Sequence, residues 1–380
     1  MRIALLALHF AEYASRLALA LSAEHEVLLV LRTSNAAHEL PDDLRAELAQ
    51  AVNLRFIELS RLRSPRTLVV HAEINRMVRD FSPDVLHIHE IHPAWTGWTV
   101  FSFRRRIPIV ITVHDHVPHS GGRSHDSWYW KVSQWVRRGA DRLIVHGPRI
   151  QSELHEVNRA IAGRTDVIHH GILGRSGVEA DISSCEPGTF LFFGRILAYK
   201  GLRYLLDAGE LLHERGHAFR LIVAGTGKDL ELHRRRIEQA AWVELIDRYI
   251  PVSEVPALFR RAMSVVLPYT DATQSGVSAM AFAYSRPVIA TPVGDVPEVV
   301  IDGQTGLITP PRDGKALADA MEKLLVDRAL RESLASGAGR FARENLTWPR
   351  IAESTCDTYR RAMRSQLASA KRHAKPIVAP

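Results

Sequence analysis

The sequence predicts an α/β protein made of two doubly wound, parallel-sheet domains in tandem. Three observations carry that reading. At 380 residues the chain has room for two domains of roughly 150–200 residues, each able to bury a core. Short apolar runs alternate with amphipathic stretches almost from the first residue, as in repeated βαβ units. The rhythm stops over Gly171–Gly188, which holds Ser183, Ser184, Pro187 and Gly188, and then restarts. The expected layout is a first domain over 1–172, a linker over 173–188, a second domain over 189–347, and a last helix with a basic tail over 348–380.

Taken in order, Arg2–Leu8 reads as a strand, because His9, Glu12 and Arg16 interrupt the apolar run too early for a secretory signal. Tyr13–Ala23 follows as an amphipathic helix, Val27–Leu31 and Leu54–Leu59 as strands, and Leu68–Phe81 as a helix. Val85–His89 is a strand and Trp95–Phe103 a helix. Ile109–Val113 and Leu143–Val145 are short and β-branched, as buried parallel strands are. In the second half, strands Phe190–Phe193, Leu221–Ala224, Val243–Ile246, Ser264–Leu267 and Val288–Ala290 alternate with helices Leu202–Glu214, Leu230–Gln239 and Val255–Ala262. Helices over Leu317–Asp327, Ala329–Ala335 and Pro349–Gln366 close the chain. No apolar stretch approaches the ~20 residues that a membrane span needs.

Composition is that of an ordinary globular protein, 46% hydrophobic and 24% charged. Cys185 and Cys356 lie far apart without metal-ligand spacing, which argues against a disulfide framework and fits a reducing, cytoplasmic setting. The net charge is +7, and after Asp357 come six Lys or Arg with no carboxylate. Such a tail suits anionic lipid or nucleic acid, or is simply a solvated helix end.

The chemistry concentrates in loops at the carboxyl ends of the second-domain strands, where open α/β sheets bind ligands. Arg195 and Lys200 follow Phe190–Phe193, bounded by Gly194 and Gly201. A forked guanidinium beside a mobile ammonium suits a diphosphate that is held and then released. Gly225 and Gly227 follow the next strand and would let backbone approach a ligand. In Tyr269–Met280, Thr273 or Ser275 is placed to cap a helix whose first amides, at Gly276 and Val277, would face an anion. Thr291–Glu298 reads as the entry to another helix, with Glu298 in its first turn, where a carboxylate also complements the helix dipole.

Together Gly194-Arg195-x4-Lys200-Gly201, Ala224-Gly-Thr-Gly227, Ser278–Ala283 and the long run Arg286–Gly306 resemble the family 4 glycosyltransferases of the GT-B fold. The likeness is dense over Phe190–Gly306 and thinner in the first half, where Asp84–His89 and Val110–Asp115 carry it. The resemblance implies two Rossmann-like domains facing across a cleft and a C-terminal helix crossing back to the first domain. It implies transfer of a sugar from a UDP- or GDP-type nucleotide-sugar, with retained anomeric configuration and no resident cofactor. Arg195 and Lys200 would then hold the donor diphosphate, with His114 near the sugar and acceptor. No Asp-x-Asp motif for a divalent ion is present, so no metal ligand is expected.

Two departures stand out. Aligned on Arg286-Pro287, the family's pair of glutamates falls on Ala272 and Met280, so Gln274 and Ser275 would take over polar contacts to the donor. The family's glycine pair after the first strand is replaced by His9–Tyr13, so Phe10 and Tyr13 would shape the acceptor side. His87-x-His89-x2-His92 and His114-x-His116-x2-His119 have metal-like spacing, but are read as lining a cleft, with His89 and His116 on the acceptor side.

Trp128–Arg138 mixes aromatics and cations. Such a helix either packs its aromatics on the sheet or lies on an anionic membrane surface, gripping an acceptor lipid. The expected function is sugar transfer to a lipid-linked or saccharide acceptor of envelope or exopolysaccharide synthesis, at the inner face of a membrane or in the cytoplasm, with no nucleic-acid partner. A degenerate, non-catalytic binder and a nucleotide-sugar epimerase are the alternatives. A nicotinamide dehydrogenase is disfavoured, since no Gly-x-Gly-x2-Gly follows the first strand.

Overall fold

The computed structural model describes residues 1–60, 64–89, 93–114, 128–174, 185–272 and 275–373. They fall into two compact units: one holds the chain up to His169 together with the last helix from Trp348, the other His170–Thr347. Most of the segment read as a linker, 175–184, lies outside the described residues.

The first unit runs β1 (Arg2–Ala7), α1 (Ala11–Ser22), β2 (Glu26–Arg32), α2 (Thr33–Glu39), α3 (Asp42–Ala51), β3 (Asn53–Ile57), α4 (Arg66–Phe81), β4 (Val85–His89), α5 (Pro93–Phe103), β5 (Ile109–Thr112), α6 (Trp128–Arg138), β6 (Arg142–Val145), α7 (Pro148–Val157) and β7 (Thr165–Val167). Its seven strands are parallel, in the order β3-β2-β1-β4-β5-β6-β7. The order reverses between β1 and β4, the switch point where ligands gather in such sheets. β4 is buried throughout, although it contains two histidines.

The second unit runs β8 (Thr189–Phe193), α8 (Leu202–Glu214), β9 (Arg220–Ala224), α9 (Leu230–Gln239), β10 (Val243–Ile246), α10 (Val255–Arg261), β11 (Ser264–Leu267), α11 (Gly276–Ala283), β12 (Val288–Ala290), β13 (Gly306–Ile308), α12 (Gly314–Val326) and α13 (Arg328–Asn345). Its six strands are also parallel, ordered β10-β9-β8-β11-β12-β13, with the switch between β8 and β11. Asp313 and Asp327 start α12 and α13 by accepting hydrogen bonds from Ala316 N and Leu330 N, both at 2.9 Å.

The last helix, α14 (Trp348–His373), belongs to the first unit and packs on α1, β5 and β6. Tyr359, fully buried, carries its hydroxyl to 2.7 Å from His87 Nδ1 on β4. Thr358 Oγ1 donates to Asp166 at 3.0 Å.

One expected helix is corrected. Glu298 does not enter an α-helix but ends a single 3-10 turn, Val296–Glu298. The chain turns instead because Thr305 Oγ1 accepts from Ile301 N at 2.8 Å and donates to Val299 O at 2.9 Å, with Gly303 at φ 70° leading into β13.

Candidate active-site elements

In the second unit, three loops at strand carboxyl ends meet backbone to backbone. Gly194 leaves β8 at φ 106° and donates its N–H to Ala224 O at 3.0 Å. Ile196 N donates to Thr226 O at 2.9 Å. A Cβ on Gly225 would lie 1.9 Å from Gly194 O, and one on Gly227 would lie 2.0 Å from Ile196 O. Only glycine permits this approach. Gly201, at φ 73° before α8, is held as closely: its Cβ would be 1.9 Å from Pro268 O, just past β11.

This packing fixes the two cations differently. Lys200 is half-buried; its Nζ donates to Tyr269 Oη at 2.8 Å and lies 4.0 Å from that ring's centroid. Tyr269 is itself buried, and its carbonyl accepts from Thr291 Oγ1 at 2.5 Å. Arg195 is exposed and forms no ion pair or hydrogen bond among the described residues. Lys228, exposed and equally unpaired among the described residues, stands beside Gly227. Sequence reading missed it, though a cation straight after a Gly-x-Gly pair was the available signal.

The loop after β11 leads to α11, whose first amides belong to Gly276 and Val277. Ser275 occupies the N-cap position without making a side-chain cap bond; its carbonyl accepts from Ser278 Oγ at 2.6 Å. Thr273 and Gln274 lie outside the described residues. Ala272 packs against the core and Met280 is buried in it, so the two positions that lack glutamate serve packing. Glu298 is exposed after β12.

In the first unit, histidines stand at the carboxyl ends of three neighbouring strands. His89 ends β4, His114 follows β5 and His146 follows β6, and all three are buried. His89 Nδ1 lies 3.0 Å from His114 Nε2, and His114 Nδ1 lies 3.1 Å from His146 Nε2. His146 Nδ1 lies 3.0 Å from the carbonyl of Ile168. A carbonyl only accepts, so with the trio neutral the chain has one direction: each Nδ1–H donates toward Ile168. His87, stacked 4.8 Å from His89, bonds Thr112 Oγ1 and Tyr359 Oη, both at 2.7 Å. Burial, aided by the nearby His146, pushes its pKa down to about 3.

Phe10, at φ 60° before α1, stacks on His114 with ring centroids 3.9 Å apart. Tyr13 is buried and meets His89, His114 and His146 edge-on at 5.4, 5.2 and 5.5 Å. It therefore backs the histidines rather than presenting its hydroxyl outward, and burial raises its pKa. His116 lies outside the described residues, as do His92 and His119. Sequence reading missed His146, although it follows β6 just as His114 follows β5. Among the described residues no group of three His, Cys, Asp or Glu is arranged to hold a metal ion.

Comparison with known proteins agrees with this architecture. Residues 11–172 match the family model "Glycosyltransferase Family 4", and residues 187–327 match "Glycosyl transferases group 1". Glycogen synthase of Mycobacterium tuberculosis is 27% identical over 302 residues, covering 76% of this chain and 71% of that enzyme. D-inositol 3-phosphate glycosyltransferase of Paenarthrobacter aurescens is 29% identical over 278 residues, covering 68% of each. Among solved structures, sucrose-phosphate synthase from Thermosynechococcus elongatus superposes with a TM-score of 0.72 at 22% identity, over 97% of this chain and 100% of that one. Anabaena HepE, solved with UDP-glucose, gives 0.71 at 18%, over 94% and 99%.

Two parallel-sheet units with this strand order share the GT-B fold of these neighbours, and both matching family models describe glycosyltransferases. More narrowly, the chain is similar to glycosyltransferase family 4, whose model its residues 11–172 match.

Proposed function

We propose that this enzyme is a retaining, metal-independent hexosyltransferase that takes its sugar from a UDP- or GDP-linked donor. The acceptor is a saccharide or lipid-linked intermediate of envelope or exopolysaccharide assembly. The observation that carries the reading is the pair of cations in the loop after β8: Lys200 is anchored on Tyr269, while Arg195 is left without a partner among the described residues. An anchored ammonium and an available guanidinium suit a diphosphate leaving group, whose growing charge they stabilise without a divalent ion. Gly194, Gly225 and Gly227 keep that loop's backbone close, and Ser275, Gly276, Val277 and Gln274 add polar groups and helix amides toward the donor. Glu298 would take a sugar or ribose hydroxyl.

In the proposed reaction the anomeric C1–O bond to the diphosphate breaks, with its electron pair leaving on the phosphate oxygen. The acceptor hydroxyl attacks the same face of C1 and passes its proton to that oxygen. His114 would reach the sugar by exchanging one of its bonds to His89 and His146; Phe10 and His116 shape the acceptor side, with Tyr13 behind the histidines. A HepE structure holding UDP-glucose supports a uridine donor, as a property of that relative. A lipid-linked acceptor implies peripheral contact with an anionic membrane from the cytoplasmic side.

Arg195→Ala should leave the fold intact and lower turnover by two or more orders of magnitude, since it removes charge that matters most as the diphosphate departs. Sugar transfer near the wild-type rate by that variant would refute the assignment. A thermal-shift series with UDP, GDP and ADP identifies the base, because a ligand that binds only the folded state raises stability by mass action. The packing of Ala272 and Met280 favours one second reading, a donor-binding protein without turnover. Donor binding with no transfer or hydrolysis across a broad acceptor panel would establish it.

A further inference from the structure

A groove of about 570 Å³ opens on the first unit between α5 and α6, and the proposed transfer does not use it. Its walls are apolar, formed by Trp98, Phe101, Val132, Trp135 and Val136, and the two tryptophans are 45% and 54% exposed. Phe101 and Trp135 pack ring to ring at 4.2 Å, and His71 of α4 stacks on Trp98 at 4.7 Å. These contacts hold the aromatics in place, with the Arg104 guanidinium 4.4 Å over the Phe101 ring and the two tryptophans still open to solvent. Small residues let the two helices pack this tightly: a Cβ on Gly97 would lie 2.9 Å from Val136, and one on Gly139 would lie 2.7 Å from Val100.

The groove runs into a second hollow of about 360 Å³, which shares Asn75, Phe101 and Ser102 with it and is rimmed by Arg79, Arg104, Arg105 and Arg106. All four arginines are exposed, none has an ion pair among the described residues, and no carboxylate lines either hollow. Other arginines of this unit do find carboxylates, as Arg76 does with Asp80, Arg142 with Asp166 and Arg149 with Glu153. Where the hollows join, Asn75 Nδ2 donates to Ser102 Oγ at 3.2 Å, while its Oδ1 is buried with no partner among the described residues. That oxygen calls for a donor.

We propose that this face docks on an anionic phospholipid bilayer, the tryptophans entering the headgroup layer and the four arginines meeting lipid phosphates. Aromatic rings with a cationic rim match that interface in both polarity and charge. A second copy of the chain is a poor occupant, because a two-fold contact would set these unpaired arginines against themselves. The inference deepens the peripheral membrane contact proposed above. It rests on separate observations, and its readout needs no sugar transfer.

The test is flotation of the full chain with phosphatidylglycerol vesicles and, in parallel, pure phosphatidylcholine vesicles. Binding should favour phosphatidylglycerol by at least about tenfold and fall as salt rises. Arg104→Glu/Arg105→Glu/Arg106→Glu should lower partitioning by about a hundredfold. Trp98→Ala/Trp135→Ala should weaken it at constant salt dependence. Both variants should keep the wild-type circular dichroism and thermal shift with nucleotide. Equal binding to the two lipids would overturn the proposal, as would binding that survives the triple substitution but is lost in Lys371→Ala/Arg372→Ala/Lys375→Ala. So would concentration-dependent self-association abolished by Trp98→Ala. Vesicle binding without sugar transfer would overturn the enzymatic reading alone, and transfer without vesicle binding this inference alone.

Discussion

At the scale of single residues, the cost of a substitution follows from what the side chain touches. Tyr359→Phe removes one of the two partners of a fully buried histidine, His87, and should cost about 1–3 kcal/mol in urea denaturation. Gly225→Ala places a methyl against a backbone oxygen at 1.9 Å, so the loops after β8 and β9 must part. We expect about 1–3 kcal/mol of lost stability together with a lost nucleotide thermal shift. The glycines and the cation pair were legible, since Gly-Arg-x4-Lys and Gly-x-Gly advertise themselves by type and spacing. The partner of Lys200 was not: Tyr269 lies 69 residues on, and only the strand order brings them together. Tyr359 was hidden for the same reason, 272 residues from His87.

At the scale of elements, central strands such as β1, β9 and β11 are buried almost throughout, so they stood out to sequence reading as apolar runs, while the edge strands β3 and β10 were found although they are only partly buried. Those it missed, β7 and β13, are three residues long and lie at sheet edges. Helices α2 and α3 were missed because they bury little, only Ala36 in the first and Leu44 and Leu48 in the second. Arg286 shows that a family motif also carries architecture. Its buried guanidinium donates to Phe259 O and Arg260 O, both at 3.0 Å, and so caps the carbonyl end of α10. Arg286→Met should therefore unfold the protein more easily, by about 2–4 kcal/mol in denaturant titration, because two carbonyls lose a charged donor at once. A variant of unchanged stability would show that water replaces the guanidinium.

Across the whole molecule, acid stability is set partly by histidines buried as neutral groups. Burial holds His71 down to about 4 and His87 down to about 3, against 6.5 for an unburied ring. Between roughly pH 4 and 6.5 the unfolded chain thus binds protons that the folded one refuses. Stability is fully present above pH 6.5 and falls as the pH drops, by up to about 1.4 kcal/mol per pH unit for each group. Carboxylates held low by arginine, such as Glu244 by Arg261 and Glu210 by Arg236, extend the loss further into acid. His87→Gln should flatten the slope of unfolding free energy against pH by about one proton in that window, whatever its effect on absolute stability.

The return of α14 to the unit that began the chain also sets an order of events during synthesis. His170–Thr347 is continuous and can mature while the ribosome is still adding the last helix. The earlier segment emerges first yet must wait for Tyr359 to reach His87. Until then the surface that α14 covers on β5 and β6 stays exposed on the nascent first unit.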